Sequence, residues 1–199
     1  MTLVKPHPWT VESSRVEYAD RFLRHRIDRC ITERGQVLDP YHVLELNDWC
    51  HAIALTETGE LVLVEEYRHA SGCVVRGLPA GTVEAGEDPA MAMPRELVEE
   101  TGYRAPGWLR LPTAWANPAT QTNRVHNFLA LGATATGTQS FDPGETIEVV
   151  TVPVAEAVAA LLDGSWQTHG LHVAAILTAC QFARRNLERE PRLAPLAAA

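Results

Sequence analysis

The chain has 199 residues, enough for one domain with a small accessory part and too few for two large ones. Its formal net charge of −8 argues against general binding to nucleic-acid backbones, which takes clustered lysine and arginine. The opening Met1–Pro8 stretch has no apolar signal core and no apolar run reaches the ~18 residues of a membrane span, so a cytoplasmic protein without membrane contact is expected.

From about Trp9 to Leu46 the chain reads as short strands. Leu23 to Ile31 alternates apolar and polar residues, Glu33-Arg34-Gly35-Gln36 is a turn, and Tyr41 to Leu46 alternates again. Two or three such strands are marginally stable alone, so they must lie on the main domain or on another subunit. Trp49 to Leu55 and Leu61 to Tyr67 are apolar strands joined by a turn at Gly59, and they are expected to form the core of the main sheet. Arg68 follows directly, and a guanidinium there suits a solvated edge charge and an anion clamp equally. Cys73 to Gly77 reads as a further strand. The four cysteines, Cys30, Cys50, Cys73 and Cys180, form no CxxC pair, so zinc-ribbon and thioredoxin-like readings fail and reduced thiols are expected.

The most informative stretch is Gly81 to Tyr103. Asp88 is an N-cap with Pro89 at the first helical position, and Gly102 is a C-terminal stop, which predicts a helix whose last two turns carry Glu96, Glu99 and Glu100. The spacing sets Glu96 beside both other acids. A solvated acidic face would account for them taken alone, but carboxylates at a helix C-terminus oppose the macrodipole, which makes a metal ion their natural partner. Oxygen ligands of this kind suit Mg²⁺ or Mn²⁺. Gly81 permits a tight backbone path that could turn the Ala80 carbonyl toward the same ion. Pro94 removes a donor from the helix interior and crowds the Ala90 carbonyl, a cost of roughly 3 kcal/mol in a regular helix, so a kink or a late helix start is expected.

Trp108–Leu111 and Arg124–Leu131 read as strands joined through the loop Thr113–Asn123, and a turn-rich acidic loop from Phe141 to Thr146 leads into the strand Ile147–Val152. Val154–Leu162 and Leu171–Leu187 are helical by apolar spacing, separated by Asp163-Gly164, and should cover the other face of the sheet. His169 and His172 lack an HExxH pattern or a third partner, which favours core or helix-start histidines over ligands. Pro191 to Ala199 reads as a flexible, frayed tail.

The order Gly81, five residues, Glu87, seven residues, Arg95-Glu96, an aliphatic, any residue, Glu99-Glu100, any residue, Gly102 matches every fixed position of the Nudix box, and the chain resembles the Nudix hydrolases. The resemblance implies an α+β fold, an α/β/α sandwich around a mixed sheet, with the N-terminal strands as a small antiparallel subdomain. It divides the chain into residues 1–46, a hydrolase domain at 47–190 and the tail at 191–199. It implies cleavage of a nucleoside diphosphate linked to another moiety, with Glu96, Glu100 and Glu99 on two or three Mg²⁺ ions, Mn²⁺ being an alternative, and Arg95 orienting the acids.

Two features point to the ADP-ribose pyrophosphatase branch: Glu65-Glu66-Tyr67-Arg68, similar to a strand end whose arginine faces substrate, and Pro118, sixteen positions beyond Gly102. That branch implies ADP-ribose cleaved to AMP and ribose 5-phosphate, a homodimer through the N-terminal sheet, and a loop glutamate as base, the place held by Glu145 with Glu148 as near competitor. The expected catalytic set is Glu145, Glu99 and Arg95. The metal set is Glu96, Glu99, Glu100 and the Ala80 carbonyl, and the substrate contacts are Arg68, Pro118 and Glu84. The chain departs from the branch at Gly77, where an acid is common before Leu-Pro-Ala-Gly; Glu84 either compensates or is a surface carboxylate. It departs again in the loop, where Gln121, Thr122 and Asn123 replace an acid. The rival substrates are another nucleotide sugar, a dinucleotide or a dinucleoside polyphosphate. Outside catalysis, the rivals are a ligand-sensing module, opposed by the intact acidic set and by the lack of a basic helix-turn-helix segment, and a structural dimerisation protein, which leaves the crowded acids unexplained.

Overall fold

The computed structural model describes residues 5–137, 139–140, 144 and 146–199. The chain divides into two compact units, Met1–Asn47 with Trp115–Arg124, and Asp48–Ala114 with Val125–Ala199.

The first unit is an antiparallel meander of β1 (Thr10–Ala19), β2 (Arg24–Ile31) and β3 (Val37–Glu45). Gly35, at φ 74°, closes the β2–β3 turn, with its N–H donating to the Thr32 carbonyl. The alternation in β2 does bury Ile27 and Cys30, yet Asp28 is buried as well. Arg26 Nε reaches both Asp28 carboxylate oxygens, at 2.9 and 3.0 Å, and the Ser14 hydroxyl donates to Oδ1 at 2.6 Å, so the buried charge is paired. Every residue of β1 is exposed, including Val11, Val16 and Tyr18. The segment 115–124 joins this unit through β3. The Leu44 N–H donates to the Thr120 carbonyl at 2.7 Å, the Thr122 N–H to the Leu44 carbonyl at 3.1 Å, and the Tyr41 hydroxyl to the Ala119 carbonyl at 2.6 Å.

The second unit contains β4 (Trp49–Thr56), β5 (Glu60–Arg68), β6 (Cys73–Gly77), β7 (Ala80–Thr82), α1 (Pro89–Thr101), β8 (Tyr103–Arg104) and β9 (Gly107–Arg110). After β10 (Ala114–Trp115) come β11 (Arg124–Ala135), β12 (Ile147–Pro153), α2 (Val154–Asp163), α3 (Gly170–Asn186), a 3₁₀ turn (Pro191–Leu193) and α4 (Ala194–Ala198). The sheet is mixed: β11 runs parallel to β4, while β4 with β5 and β5 with β12 are antiparallel. Strands β4 and β5 pair only at Ala54↔Val62 and Leu55↔Leu61. Beyond that point they part, and β7 pairs with β4 while β6 pairs with β5. This opening in the sheet brings residues 78–82 to the site.

Alternation sorts the core into two layers. Cys50, Ala52 and Ala54 of β4 pack in one cluster with Met93 and Leu97 of α1 and Phe128 of β11. Ile53 and Leu55 pack in the other with Val158 of α2 and Ala175, Ile176 and Ala179 of α3. The expected covering of the second face by the C-terminal helices is what the structure has. The end of the chain differs from expectation: instead of fraying, residues 191–198 form the 3₁₀ turn and α4, with Leu193 and Leu196 fully buried in the second cluster. Burial of Leu193 and Leu196 offsets part of the ordering entropy of this Pro/Ala-rich segment and pins it to the core.

Helix α1 begins at Pro89 and runs to Thr101 through Pro94, with Asp88 Oδ1 accepting from the Ala90 N–H at 2.9 Å and Gly102 at φ 68° ending it. The late start expected from Pro94 is absent. The carbonyl that loses its donor belongs to Ala90, which is exposed, so water can take the donor's place.

Candidate active site

The acidic end of α1 faces the segment Ala80–Gly81. In the β4–β7 ladder Cys50 stands opposite Gly81 and His51 opposite Ala80. The Ala52 N–H donates to the Pro79 carbonyl and the Val83 N–H to the Asp48 carbonyl, so by the alternation of an antiparallel pair both polar groups of Ala80 turn away from β4. The Ala80 N–H donates to Glu100 Oε2 at 2.9 Å. Glu100 is only 9% exposed, and its carboxylate reaches the segment expected to supply a backbone ligand.

Glu96 meets the same segment one residue on. A Cβ on Gly81 would lie 2.0 Å from Glu96 Cδ and 2.3 Å from its Oε2. Gly81 is therefore needed for close approach rather than for the backbone freedom expected from the sequence, since its φ is not positive. The atoms in the way are the end of a flexible side chain. Gly81→Ala is accordingly expected to change the denaturation midpoint little, by less than about 1 kcal/mol, while displacing the Glu96 carboxylate and lowering kcat. Urea unfolding and steady-state kinetics on the same preparation check both halves.

Arg95 gathers the remaining acids. Its Nη1 donates to Glu96 Oε1 and Glu99 Oε2, each at 2.9 Å, and its Nε and Nη2 donate to Glu87 Oε1 and Oε2 at 3.3 and 3.1 Å. Hydrogen bonding to Glu87, then the charge of Glu96, raises the pKa of Arg95, and Arg95 in turn holds Glu87 below the usual carboxylate range. Glu87 had no role assigned from the sequence beyond its place in the box pattern. Its position there was the available signal: it steadies the guanidinium that orients Glu96 and Glu99.

Among the described residues no three His, Cys, Asp or Glu side chains converge as ligands of one ion, and Arg95 bonds both Glu96 and Glu99. The donor chemistry nonetheless fits a hard divalent cation. Two carboxylates, Glu96 and Glu100, press on residues 80–81, Glu99 shares the Arg95 guanidinium with Glu96, and the Ala80 carbonyl faces away from β4. The carbonyls at the end of α1 are also occupied: Ser140 N–H donates to Glu99 O at 2.9 Å and Gln139 Nε2 to Glu100 O at 2.7 Å. Cys50, buried beneath Gly81, is no nucleophile; burial and then the Glu96 charge push its thiol up to about 12.

A cavity of about 640 Å³ adjoins this centre, lined among others by Trp49, Glu66, Arg68, Ala80, Gly81 and His169. Arg68 lies in its wall, exposed, with Nη2 2.9 Å from Glu66 Oε2. Glu84 is exposed in the turn before α1, and it is its backbone N–H that donates to Glu87 Oε2, at 3.1 Å. Pro118 belongs to the first unit, exposed in a turn stapled by the Gln121 N–H to the Asn117 carbonyl at 2.8 Å. Glu145 lies outside the described residues. Glu148 is exposed on β12, opposite Glu65 in the ladder with β5. His172 is buried, and His169 caps α3 with Nδ1 accepting from the Leu171 N–H, the core and helix-start roles expected for them.

Residues 50–172 match the NUDIX domain family, and the chain belongs to that family. It is 31% identical to an ADP-ribose pyrophosphatase of Bacillus subtilis over 107 residues, 53% of this chain and 58% of that protein. It is 32% identical to an ADP-ribose pyrophosphatase of Mycobacterium tuberculosis over 114 residues, 56% of this chain and 55% of that one. The chain thus spans little more than half the length of these relatives. A crystal structure described as an ADP compounds hydrolase superposes with a TM-score of 0.77 at 18% identity, covering 96% of this chain and 100% of that one, which establishes the α+β fold. Family membership implies dependence on a divalent metal. Among the described residues no helix is long and apolar enough to cross a membrane.

Proposed function

We propose that the chain is a divalent-metal-dependent pyrophosphohydrolase of nucleoside diphosphate sugars, with ADP-ribose, cleaved to AMP and ribose 5-phosphate, as the preferred substrate. The observation that carries this reading is the convergence of Glu96 and Glu100 on residues 80–81, with Gly81 lacking the side chain that would fill Glu96's place. The ADP-ribose pyrophosphatase relatives support the choice of substrate.

Glu96, Glu99, Glu100 and the Ala80 carbonyl would hold the metal, taken as two or three Mg²⁺ or Mn²⁺ ions. When bound, such ions neutralise phosphoryl oxygens and bring the pKa of a coordinated water toward neutrality. Arg95 keeps Glu96 and Glu99 oriented, and Arg68 meets the diphosphate from the cavity wall. Glu145 takes the proton of the attacking water; it lies five residues beyond Ser140, whose N–H is bound to the end of α1. Glu148 is the competitor for that role. Phosphoryl transfer asks mostly for positioning and charge neutralisation, so this set is sufficient. The exposed apolar side chains Val11, Val16 and Tyr18 on β1 support a homodimer through the N-terminal sheet.

The test is a panel of nucleoside diphosphate derivatives incubated with Mg²⁺ or Mn²⁺, products read by mass. AMP and ribose 5-phosphate from ADP-ribose, at a kcat/KM above that of dinucleoside polyphosphates, is the expected result. Metal-independent turnover, or none on any diphosphate, overturns the reading. Within it, loss of rate in Glu148→Gln but not in Glu145→Gln reassigns the base.

A further inference from the structure

At residues 77–79 the chain leaves one ladder for another. The β5–β6 ladder ends at Val64↔Gly77, and pairing with β4 starts where the Pro79 carbonyl accepts from the Ala52 N–H. Leu78 lies between the two and is fully buried, so its N–H needs a partner that neither ladder provides. That partner is His172 Nδ1 on the first turn of α3, 3.2 Å away. Two residues earlier the Arg76 carbonyl accepts from Trp166 Nε1 at 3.0 Å. Residues 166 and 172 thus hold 76 and 78 as a neighbouring strand would, although neither belongs to a strand.

The ring of His172 is itself confined. His51 packs edge-on against it with centroids 4.6 Å apart, and His169 lies at 5.3 Å. A Cβ on residue 77 would stand 2.6 Å from its Nδ1, so the histidine's place requires glycine at 77. Nδ1 can accept only when unprotonated, which places the ring proton on Nε2. Burial first, then His51, His169 and Arg68, keeps the ring neutral by pushing its pKa well down. The departure from the family pattern at Gly77 acquires a physical meaning: the space an acidic side chain would need is taken by an imidazole that holds the backbone.

We propose that His172 is a positioning residue for the active site: by holding the Leu78 N–H it sets where Ala80, two residues on, presents its backbone to Glu100. The proposal rests on the hydrolase reading for what the site does, but not for the contact itself. Replacing an outer support of a metal site typically costs roughly 10–100-fold in metal affinity or activity.

The test uses the full chain and three readouts: amide exchange by NMR without metal, Mn²⁺ binding by electron paramagnetic resonance, and kinetics on ADP-ribose. His172→Phe fills the volume without an acceptor, and His172→Asn restores an acceptor oxygen near the place of Nδ1. Expected for His172→Phe is exchange at Leu78 and Ala80 faster by about tenfold or more, with the β11 amides unchanged, and Mn²⁺ affinity and kcat each lower by roughly 10–100-fold at similar KM. His172→Asn should recover most of all three. Unchanged exchange at 78–80 in His172→Phe overturns the proposal, as does faster exchange spread evenly over the sheet or normal Mn²⁺ affinity beside a loosened segment. Should His172→Phe not fold, Gly77→Ala displaces the same acceptor and is read in the same way. Absence of turnover in the unaltered chain would count against the hydrolase reading alone, since exchange and Mn²⁺ binding decide the positioning role without substrate.

Discussion

Replacing Glu100 by glutamine is expected to lower kcat by at least about a hundredfold while leaving the denaturation midpoint nearly unchanged. The two halves follow from different atoms of one side chain. The Ala80 N–H donates to Glu100 Oε2 at 2.9 Å, and the amide oxygen of glutamine can accept the same bond, so the packing of residues 78–82 on α1 survives. The charge does not survive. Charge stabilisation at a metal-bound phosphoryl group amounts to several kcal/mol, and each ~1.4 kcal/mol is tenfold in rate. Steady-state kinetics over a Mg²⁺ titration, beside urea unfolding of the same protein, decide the matter; wild-type turnover in Glu100→Gln would remove this residue from the metal set.

Stability is expected to fall steeply between about pH 6.5 and 4, and the buried histidines of the second unit are the cause. His51 is 3% exposed, and burial, then the neighbouring His169, lowers its pKa from 6.5 to about 4; His172 beside it is also pushed well down. In the unfolded chain these rings bind a proton near pH 6.5, and in the folded chain they do not. The unfolded state therefore gains protons first as pH falls, so the stabilisation present above pH 6.5 is lost on the way down to the folded-state pKa. For His51 the loss amounts to roughly 3 kcal/mol, a large part of the 5–15 kcal/mol typical of a domain. The groups facing this pair are His169 and Arg68, both of which disfavour a further positive charge there. Urea unfolding at half-unit steps from pH 7 to 4 checks the slope, and His51→Leu should flatten it. An equally steep slope in that variant would assign the loss to His172, because a carboxylate held low by an arginine, such as Glu87, gives up its stabilisation only below about pH 4.5.

Helix α1 and its caps were legible in the sequence because they are local. Asp88, Pro89 and Gly102 act within a turn of their own positions, and the box spacing requires no knowledge of distant residues. The apolar runs of β4 and β5 were legible for the same reason. Strand β1 was harder to delimit, since all ten of its residues are exposed and no alternation marks a buried face. The partners that finish the site were out of reach: Trp166 and His172 lie 90 and 94 residues from the backbone groups they hold. A histidine at a helix start is chemically ambiguous until the strand beside it is known. At Gly81 the sequence shows the glycine but not its reason: the need is the space occupied by Glu96, fifteen residues on, rather than backbone freedom.

The return of residues 115–124 to β3 bears on how this protein can be engineered. Leu44 contributes its amide and carbonyl, and Tyr41 its hydroxyl, to a loop whose own sequence position is more than seventy residues away. Deleting the first 47 residues would strip the Pro118 turn of these supports, so trimming from the N-terminus also alters a loop far along the chain. A chimera that exchanges the three-stranded sheet between relatives must carry the distant loop along with it, as a matched pair.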